Sequence, residues 1–144
     1  METGGKVQIQ TAGYSATPLA KKLGIKAGFQ IKLVNAPEYY MSLFTDLPAD
    51  LDFSGDSDSK KDFIHIFTKQ EDEYLKTLPL LKEQLKPNGM IWVSWPKKAS
   101  KVSTDVTEDL VRNYAIKLGL VDIKVCAVDG IWSGLKLVFP VKNR

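Results

Sequence analysis

The sequence predicts an α/β protein with a doubly wound, mostly parallel sheet, helices on both faces of the sheet and a C-terminal antiparallel hairpin. Stretches typical of strands alternate with stretches typical of helices, which is the pattern of parallel strands joined by crossover helices. Residues 63–67 form an almost unbroken apolar run, as expected for a central strand that is covered on both faces. Asp129-Gly130, between two apolar stretches, is a strong hairpin signal.

The first half of the chain is predicted to contain, in order, a helix over residues 17–23, a strand over 30–35, a helix from 37 to 46 and a short strand over 50–53. Thr17 suits the N-cap of the first helix and Pro18 its first position, where the missing N–H costs nothing. Gly24 is typical of a helix C-terminus.

The second half is predicted to contain, in order, a strand over 63–67, a helix over 71–85, a turn over 86–89, a strand over 90–95, a helix over 103–118 and strands over 121–128 and 131–139. Pro79 lies inside the first of these helices and predicts a kink or break there. Asp105 and Glu108 have the spacing of a capping box at the start of the second.

Length and composition exclude several classes of protein. A chain of 144 residues, 44% hydrophobic and 26% charged, fits one globular domain, which we place at residues 14–144 after a flexible N-terminal tail over 1–13. A single cysteine and a single histidine exclude an intramolecular disulfide and a multi-histidine metal site, so we expect no metal and a reducing, cytoplasmic setting. No apolar run approaches the roughly 18 residues of a membrane helix, and we expect no membrane partner.

Two local motifs carry a resemblance to a known fold family. Residues 24–33 look like the lead-in to the first strand, and residues 85–93 like the turn and strand after the fourth helix, of the S-adenosylmethionine (SAM)-dependent methyltransferases. The chain also resembles, more closely, a family of small bacterial proteins known only as a domain of unknown function. The segments similar to that family are 13–15, 17–24, 93–100 and 124–129. These resemblances imply a small, degenerate methyltransferase-like Rossmann fold, and the closer match supplies no activity.

The methyltransferase resemblance also implies where a cofactor would lie. Such proteins need a glycine-rich turn after the first strand and usually an acidic residue after the second. Here the turn is Asn35-Ala36-Pro37-Glu38, without glycine, and Asp56 follows about 20 residues on, at the spacing of a ribose contact. Asp56 is equally typical of a solvated loop charge. We therefore expect no cofactor, and Asp56 is the weaker candidate contact if SAM does bind.

The predicted carboxyl ends of the strands suggest a ligand site, because loops that follow parallel strands meet at one edge of the sheet. The candidate ligand-binding residues at that edge are Asn35, Glu38, Trp95, Lys97, Lys98, Asp129 and Trp132. Lysines beside a helix N-terminus favour an anion, and a tryptophan can stack on a ring. Solvated lysines and core tryptophans are the structural alternative. His65 and Cys126 lie mid-strand, where a core role is expected.

Three functions stay open. The first is a non-catalytic or regulatory binding protein for a small anionic ligand, such as a nucleotide. The second is a methyltransferase with an atypical cofactor turn. The third is a nucleic-acid-associated protein that uses residues 97–101, although a net charge of +3 is too small to favour a nucleic-acid partner. No catalytic residue is assigned, and the sequence leaves the oligomeric state open.

Overall fold

The computed structural model describes residues 17–53 and 59–144. Its centre is a five-stranded sheet in the order β1-β2-β3-β5-β4. The strands are β1 (Ile31–Val34), β2 (Lys61–Phe67), β3 (Leu85–Pro96), β4 (Val121–Ala127) and β5 (Trp132–Val138). The helices are α1 (Leu19–Leu23), α2 (Glu71–Glu83) and α3 (Glu108–Lys117), with short 3-10 turns at Tyr40–Leu43, Lys98–Ser100 and Val141–Asn143.

The sheet is mixed in the way that the sequence predicts. β1, β2 and β3 are mutually parallel, whereas β5 is antiparallel to both β3 and β4. Asp129 makes the hairpin turn by accepting the N–H groups of Ile131 and Trp132 with one carboxylate oxygen, both at 2.8 Å. The parallel core and the closing antiparallel hairpin are therefore confirmed.

The strand order reverses at β1. Ile31 N–H donates to Asp52 C=O, and Asp52 N–H donates to Phe29 C=O, so a segment beyond β1 pairs along its outer side. Gln30, between Phe29 and Ile31, turns its C=O to the inner side and accepts the N–H of Asp62 in β2. After β1 the chain first pairs along the outer side of β1 at Asp52. It then crosses over, and β2 pairs along the other side of β1. The predicted strand over 50–53 is reduced to this single bridge.

One face of the sheet, which we call the two-helix face, is covered by α2 and α3. Its core is apolar and deeply buried, with Leu78 and Val111 fully enclosed between the helices and the sheet residues Ile66 and Leu135. Trp95 belongs to this core. Burial of so many large side chains accounts for most of the free energy that holds the helices on the sheet.

The opposite face, which we call the α1 face, has a thinner cover. The five-residue helix α1 places Ala20 and Leu23 against Phe63 and Trp92, and Leu23 C=O accepts the indole N–H of Trp92 at 2.8 Å. The 3-10 turn at 40–43 and the loops around it cover the rest of the buried part of this face.

The predicted helix over 37–46 is wrong. Only the 3-10 turn at Tyr40–Leu43 forms, and Phe44 after it is extended. Asp46 instead caps the N-terminus of α1, where its carboxylate accepts the N–H groups of Ala20 and Lys21 at 3.0 and 3.1 Å. This distant acceptor takes the place of the Thr17 cap that the sequence suggests, and Pro18 is the cap residue.

Of the kink or break predicted at Pro79, the break does not occur, since α2 runs continuously through it. Proline lacks the N–H that would bond to the carbonyl of Leu75, four residues earlier. The hydroxyl of Tyr114 in α3 donates to that carbonyl at 2.8 Å and replaces the missing bond. The helix tolerates its proline because a neighbouring helix supplies a donor.

The predicted turn over 86–89 lies within β3, where the register against β2 shifts between the pairs Lys61↔Leu85 and Phe63↔Met90. Gly89 in this irregular stretch has no room for a side chain, since a Cβ would lie 2.9 Å from the carbonyl oxygen of Lys61. The glycine of the methyltransferase-like motif is therefore needed for close strand packing.

The capping box predicted at Asp105 does not form. Thr107 caps α3 by accepting Leu110 N–H, and Asp105 instead accepts Glu71 N–H at the start of α2, at 2.7 Å. The tail over 1–13 lies outside the described residues, so the division into a tail and one domain stays a prediction.

Candidate functional site

A crevice of about 430 Å³ opens where β1 and β2 end. In open α/β sheets, ligands bind beyond the carboxyl ends of the strands, at the point where the strand order reverses. The reversal at β1 puts that point between β1 and β2, so the crevice has the position and the size of a small-molecule site. Its lining residues are Asn35, Pro37, Phe67, Lys69, Gln70, Glu73 and Trp132.

The turn after β1 forms one wall. Asn35 has a backbone φ of 58°, in the left-handed region, which asparagine adopts more readily than most residues. Asparagine thus supplies the left-handed conformation that glycine usually supplies. Pro37, two residues on, lines the crevice and has no backbone N–H to offer a ligand.

Glu73, in the first turn of α2, forms the floor between the two strand ends. One carboxylate oxygen accepts the Asn35 side-chain amide at 3.1 Å, and the other accepts the Thr68 hydroxyl at 3.1 Å. Thr68 is buried at the end of β2, whereas Lys69 beside it is exposed. The crevice therefore holds one oriented carboxylate, and Lys69 beside it forms no side-chain hydrogen bond or salt bridge with residues 17–53 or 59–144.

An aromatic wall closes the side nearest the hairpin. Trp132 meets Phe67 edge to face, with ring centroids 5.0 Å apart. The Trp132 indole N–H donates to the Tyr39 hydroxyl at 3.2 Å, and that hydroxyl donates to Asp129 at 2.9 Å. Burial and the neighbouring Asp129 carboxylate raise the pKa of Tyr39 above its ordinary value, so the phenol stays a donor at neutral pH.

The structure brings together only some of the residues that the sequence suggested for this edge. Asn35 and Trp132 line the crevice, and Asp129 lies one hydrogen bond behind it through Tyr39. Lys97 lies at the same edge, where its N–H donates to Ile131 C=O, but it does not line the crevice.

The remaining suggested residues lie apart from the crevice. Glu38 and Lys98 are exposed on turns outside its lining. Trp95 belongs to the core beneath α2 and α3, on the other face of the sheet, and does not line the crevice. Asp56 lies outside the described residues.

Sequence reasoning missed Tyr39, Phe67, Gln70 and Glu73. Glu73 gives no motif, because an acidic residue in the first turn of a helix is explained by the helix dipole alone. Phe67 reads as the last core residue of a strand. Only the strand order shows that both face the same crevice.

Two of the first N–H groups of α2 already have carboxylate acceptors and are not available to an anion. Asp105 accepts Glu71 N–H, and Asp72 accepts Glu73 N–H at 2.8 Å. A second, neighbouring hollow of about 460 Å³ is lined by acidic residues of this same helix start together with Asp105. Positive charge for a ligand in the crevice comes from the Lys69 side chain.

A chain of buried polar groups lies below the crevice on the α1 face. His65 is fully buried, with Nδ1 3.0 Å from the Tyr40 hydroxyl and Nε2 2.8 Å from the Ser94 hydroxyl. Burial lowers the pKa of His65 to about 3, so the ring is neutral. It is a hydrogen-bonded core residue, as the sequence indicates.

Cys126, on β4, is half-buried, and burial raises the pKa of its thiol above the ordinary value. A raised thiol pKa leaves little thiolate at neutral pH and does not favour a nucleophilic role. Across residues 17–53 and 59–144, no group of three or more histidine, cysteine, aspartate or glutamate side chains is arranged to hold a metal ion. In the same residues no helix is long and apolar enough to cross a membrane.

No family model matches the chain, and no curated protein matches it in sequence. Solved structures match it in fold. A precorrin-6y C5,15-methyltransferase from Geobacter metallireducens superposes with a TM-score of 0.57 at 9% identity, over 85% of this chain and 86% of that one. A SAM-dependent methyltransferase from Thiobacillus denitrificans, in complex with S-adenosyl-L-homocysteine, gives 0.56 at 12% identity, over 85% and 89%. One from Aquifex aeolicus gives 0.55 at 18% identity, over 81% and 85%.

These likenesses show that the chain has a methyltransferase-like Rossmann fold, and the fold prediction is confirmed. At such low identity they show the fold alone, because this scaffold hosts many functions. The closer resemblance to the bacterial family of unknown function stays a prediction.

Proposed function

We propose that the protein is a non-catalytic, nucleotide-binding protein built on a methyltransferase-like scaffold, with its ligand in the crevice between the ends of β1 and β2. One observation carries the proposal. At the reversal point of the sheet, an aromatic wall, an oriented carboxylate and an ammonium group surround one crevice of about 430 Å³.

Each of these groups suits one part of a nucleotide. Trp132 and Phe67 are almost fully buried, but both line the crevice, and they give it an apolar wall against which a planar base can pack. Glu73 suits the ribose hydroxyls, since its carboxylate is already held in place by Asn35 and Thr68. Lys69 suits the phosphate, which matches the small anionic ligand expected from the sequence.

The fold also raises the question of SAM as a cofactor, and the turn after β1 does not fit it. In methyltransferases the methionine part of SAM lies against a glycine-rich turn. Here that turn carries Ala36, Pro37 and Glu38, and Pro37, which lacks a backbone N–H, lines the crevice. A nucleotide makes no demand on bare backbone at this place, and the proposal therefore favours a nucleotide over SAM.

Calorimetric titration of adenosine, AMP, ADP, SAM and S-adenosylhomocysteine into the wild-type protein tests the proposal. We expect AMP or ADP to bind more tightly than adenosine, because only the phosphorylated ligands reach Lys69. Lys69→Glu should weaken AMP binding at least about tenfold and adenosine binding hardly at all, since a charged hydrogen bond contributes about 1.5–3 kcal/mol. Lys98→Glu, the same charge change outside the crevice, is the matched control.

Three results would count against the proposal. Failure of every nucleotide to bind removes it. Loss of AMP binding in Lys97→Glu/Lys98→Glu but not in Lys69→Glu moves the site to the loop after β3. Saturable binding of SAM alone, lost in Glu73→Gln, replaces the nucleotide-binding function with that of a methyltransferase.

A further inference from the structure

A cluster of cations lies on the α1 face, away from the crevice, where α1 leaves the β4–β5 hairpin uncovered. We call it the lysine surface, and it consists of Lys22, Lys124 and Lys136 together with Lys26 and Arg144, whose charges act on Lys136. Lys136 Nζ lies 3.9 Å from the position that a Cβ would take on Gly24, at the end of α1, and the Lys22 ammonium reaches across to Ala127 C=O at 3.0 Å. The cluster therefore spans α1, β4 and β5.

Two of these cations are direct neighbours in the sheet. Lys124 on β4 pairs with Lys136 on β5 in the antiparallel register. Side chains of such a pair lie on the same face, about 4.5–5.5 Å apart at Cβ, and like charges there destabilise the sheet. Folding alone does not explain this pair.

Among residues 17–53 and 59–144, no carboxylate lies within salt-bridge distance of the cluster. Within the parts of the chain that the structure describes, none of the five cations forms a salt bridge; Lys22 and Arg144 donate only to backbone carbonyls. Partial burial, followed by the charges of Lys124, Arg144 and Lys26, lowers the pKa of Lys136. The cations repel one another, and a bound anion would relieve this repulsion.

Two groups of acidic side chains lie at the starts of α2 and α3, outside the lysine surface. Glu71, Asp72 and Asp105 surround the start of α2, and Glu108 and Asp109 the start of α3, where both carboxylates hold Arg112. Five acidic side chains are thus grouped apart from the lysine surface. A net charge of +3 conceals this separation, which is why the sequence did not favour a nucleic-acid partner.

We propose that the lysine surface binds the phosphate backbone of a nucleic acid. Five cations exceed the charge of one phosphate group, about −2, so a chain of phosphates fits better than a single ion. A lipid surface is the other common polyanion, and its binding relies on apolar side chains that enter the bilayer beside the cations. Between these lysines the sheet presents Gly134 and the half-buried Cys126, which offer little apolar surface.

Fluorescence anisotropy with a labelled, mixed-sequence single-stranded RNA of about 16 nucleotides tests the proposal. Five phosphate contacts predict that affinity falls about 100-fold between about 50 and 200 mM salt. Lys124→Gln/Lys136→Gln should weaken binding at least about tenfold at the lower salt and flatten the salt dependence by about two contacts. A single-stranded DNA of the same length should behave alike, because phosphates rather than bases are contacted.

Lys97→Gln/Lys98→Gln is the matched control, since it removes the same charge just after the carboxyl end of β3, outside the lysine surface. We expect it to bind RNA within about twofold of the wild type. Equal loss in both double variants would show a net-charge effect and overturn the proposal. Absence of RNA binding at the lower salt, or binding only to phosphatidylserine vesicles, would overturn it as well. Thermal melting of each variant checks the fold, and removal of the repulsive pair should not lower the melting temperature.

Discussion

The two faces of the sheet are built differently although they share the same strands. The two-helix face is covered by thirteen- and ten-residue helices over an apolar core. The α1 face is covered by a five-residue helix and a 3-10 turn, and it contains the buried His65 and the uncovered Lys124–Lys136 pair. The two-helix face is packed by an apolar core alone, whereas the α1 face combines an apolar cluster with a buried, hydrogen-bonded histidine and a pair of like charges.

This difference places the candidate sites. The crevice lies at the edge where the 3-10 turn region meets α2, and the lysine surface lies where the cover of the α1 face stops. Deep apolar packing fixes side chains but leaves no space for a ligand. Sites form where that packing ends.

Truncating one buried leucine under each face should have the largest effect on the free energy of unfolding. Leu78 and Leu23 are both fully buried, one under each face. Leu78→Ala should lower the free energy of unfolding by about 4 kcal/mol, and Leu23→Ala by about 2 kcal/mol, because a five-residue helix can settle into the space left behind. Urea denaturation measures both. An equal or greater cost at Leu23 would show that the α1 face is packed as rigidly as the other.

Acid should destabilise the protein through the α1 face. His65 has a pKa of about 3 when folded and about 6.5 when unfolded, so below pH 6.5 only the unfolded chain takes up the proton. The free energy of unfolding should therefore fall with decreasing pH, by about 1.4 kcal/mol per pH unit between about pH 6.5 and 3.

The non-titrating variant His65→Gln isolates this contribution. Between about pH 6.5 and 5 the wild type should lose about 2 kcal/mol more stability than the variant does. Urea denaturation at the two pH values gives the comparison. Identical losses in the two proteins would mean that His65 is protonated without unfolding.

The contact between α2 and α3 should show a smaller, conditional effect. Tyr114→Phe removes the hydroxyl that bonds Leu75 C=O and should lower stability by about 1 kcal/mol. In Pro79→Ala the new N–H can bond that carbonyl within the helix, so Tyr114→Phe should then cost much less. A double-mutant cycle measures the difference. Additive effects would show that the tyrosine does not compensate for the proline.

The smallest effect concerns the lysine pair. Lys124→Gln should raise the free energy of unfolding by about 0.3 kcal/mol, because it removes a like-charge neighbour of Lys136. The gain should shrink at about 1 M salt, where exposed charges are screened. A loss of stability at low salt would mean that the pair does not repel in the folded protein.

Most of the residues that line the crevice could not be predicted from the sequence. The sequence does identify the strand-end residues Asn35 and Trp132, because parallel strands send their loops to one edge. It does not separate Trp132 from Trp95, which packs against the other face. The two tryptophans differ because the side chain of Trp95 lies on the face covered by α2 and α3, whereas that of Trp132 lies on the α1 face.

The sequence by itself determined the order of the strands along the chain, the parallel core, the long helices and the hairpin at Asp129-Gly130, since each depends on local pattern. Tertiary structure alone decided how Asp46 caps α1, how Tyr114 completes α2 at Pro79 and how Glu73 joins the ends of β1 and β2. It also decided the lysine surface, whose members come from four separate stretches of the chain. Each of these contacts joins residues far apart in sequence, and only the packing of the sheet and its helices brings such groups within hydrogen-bonding or electrostatic range.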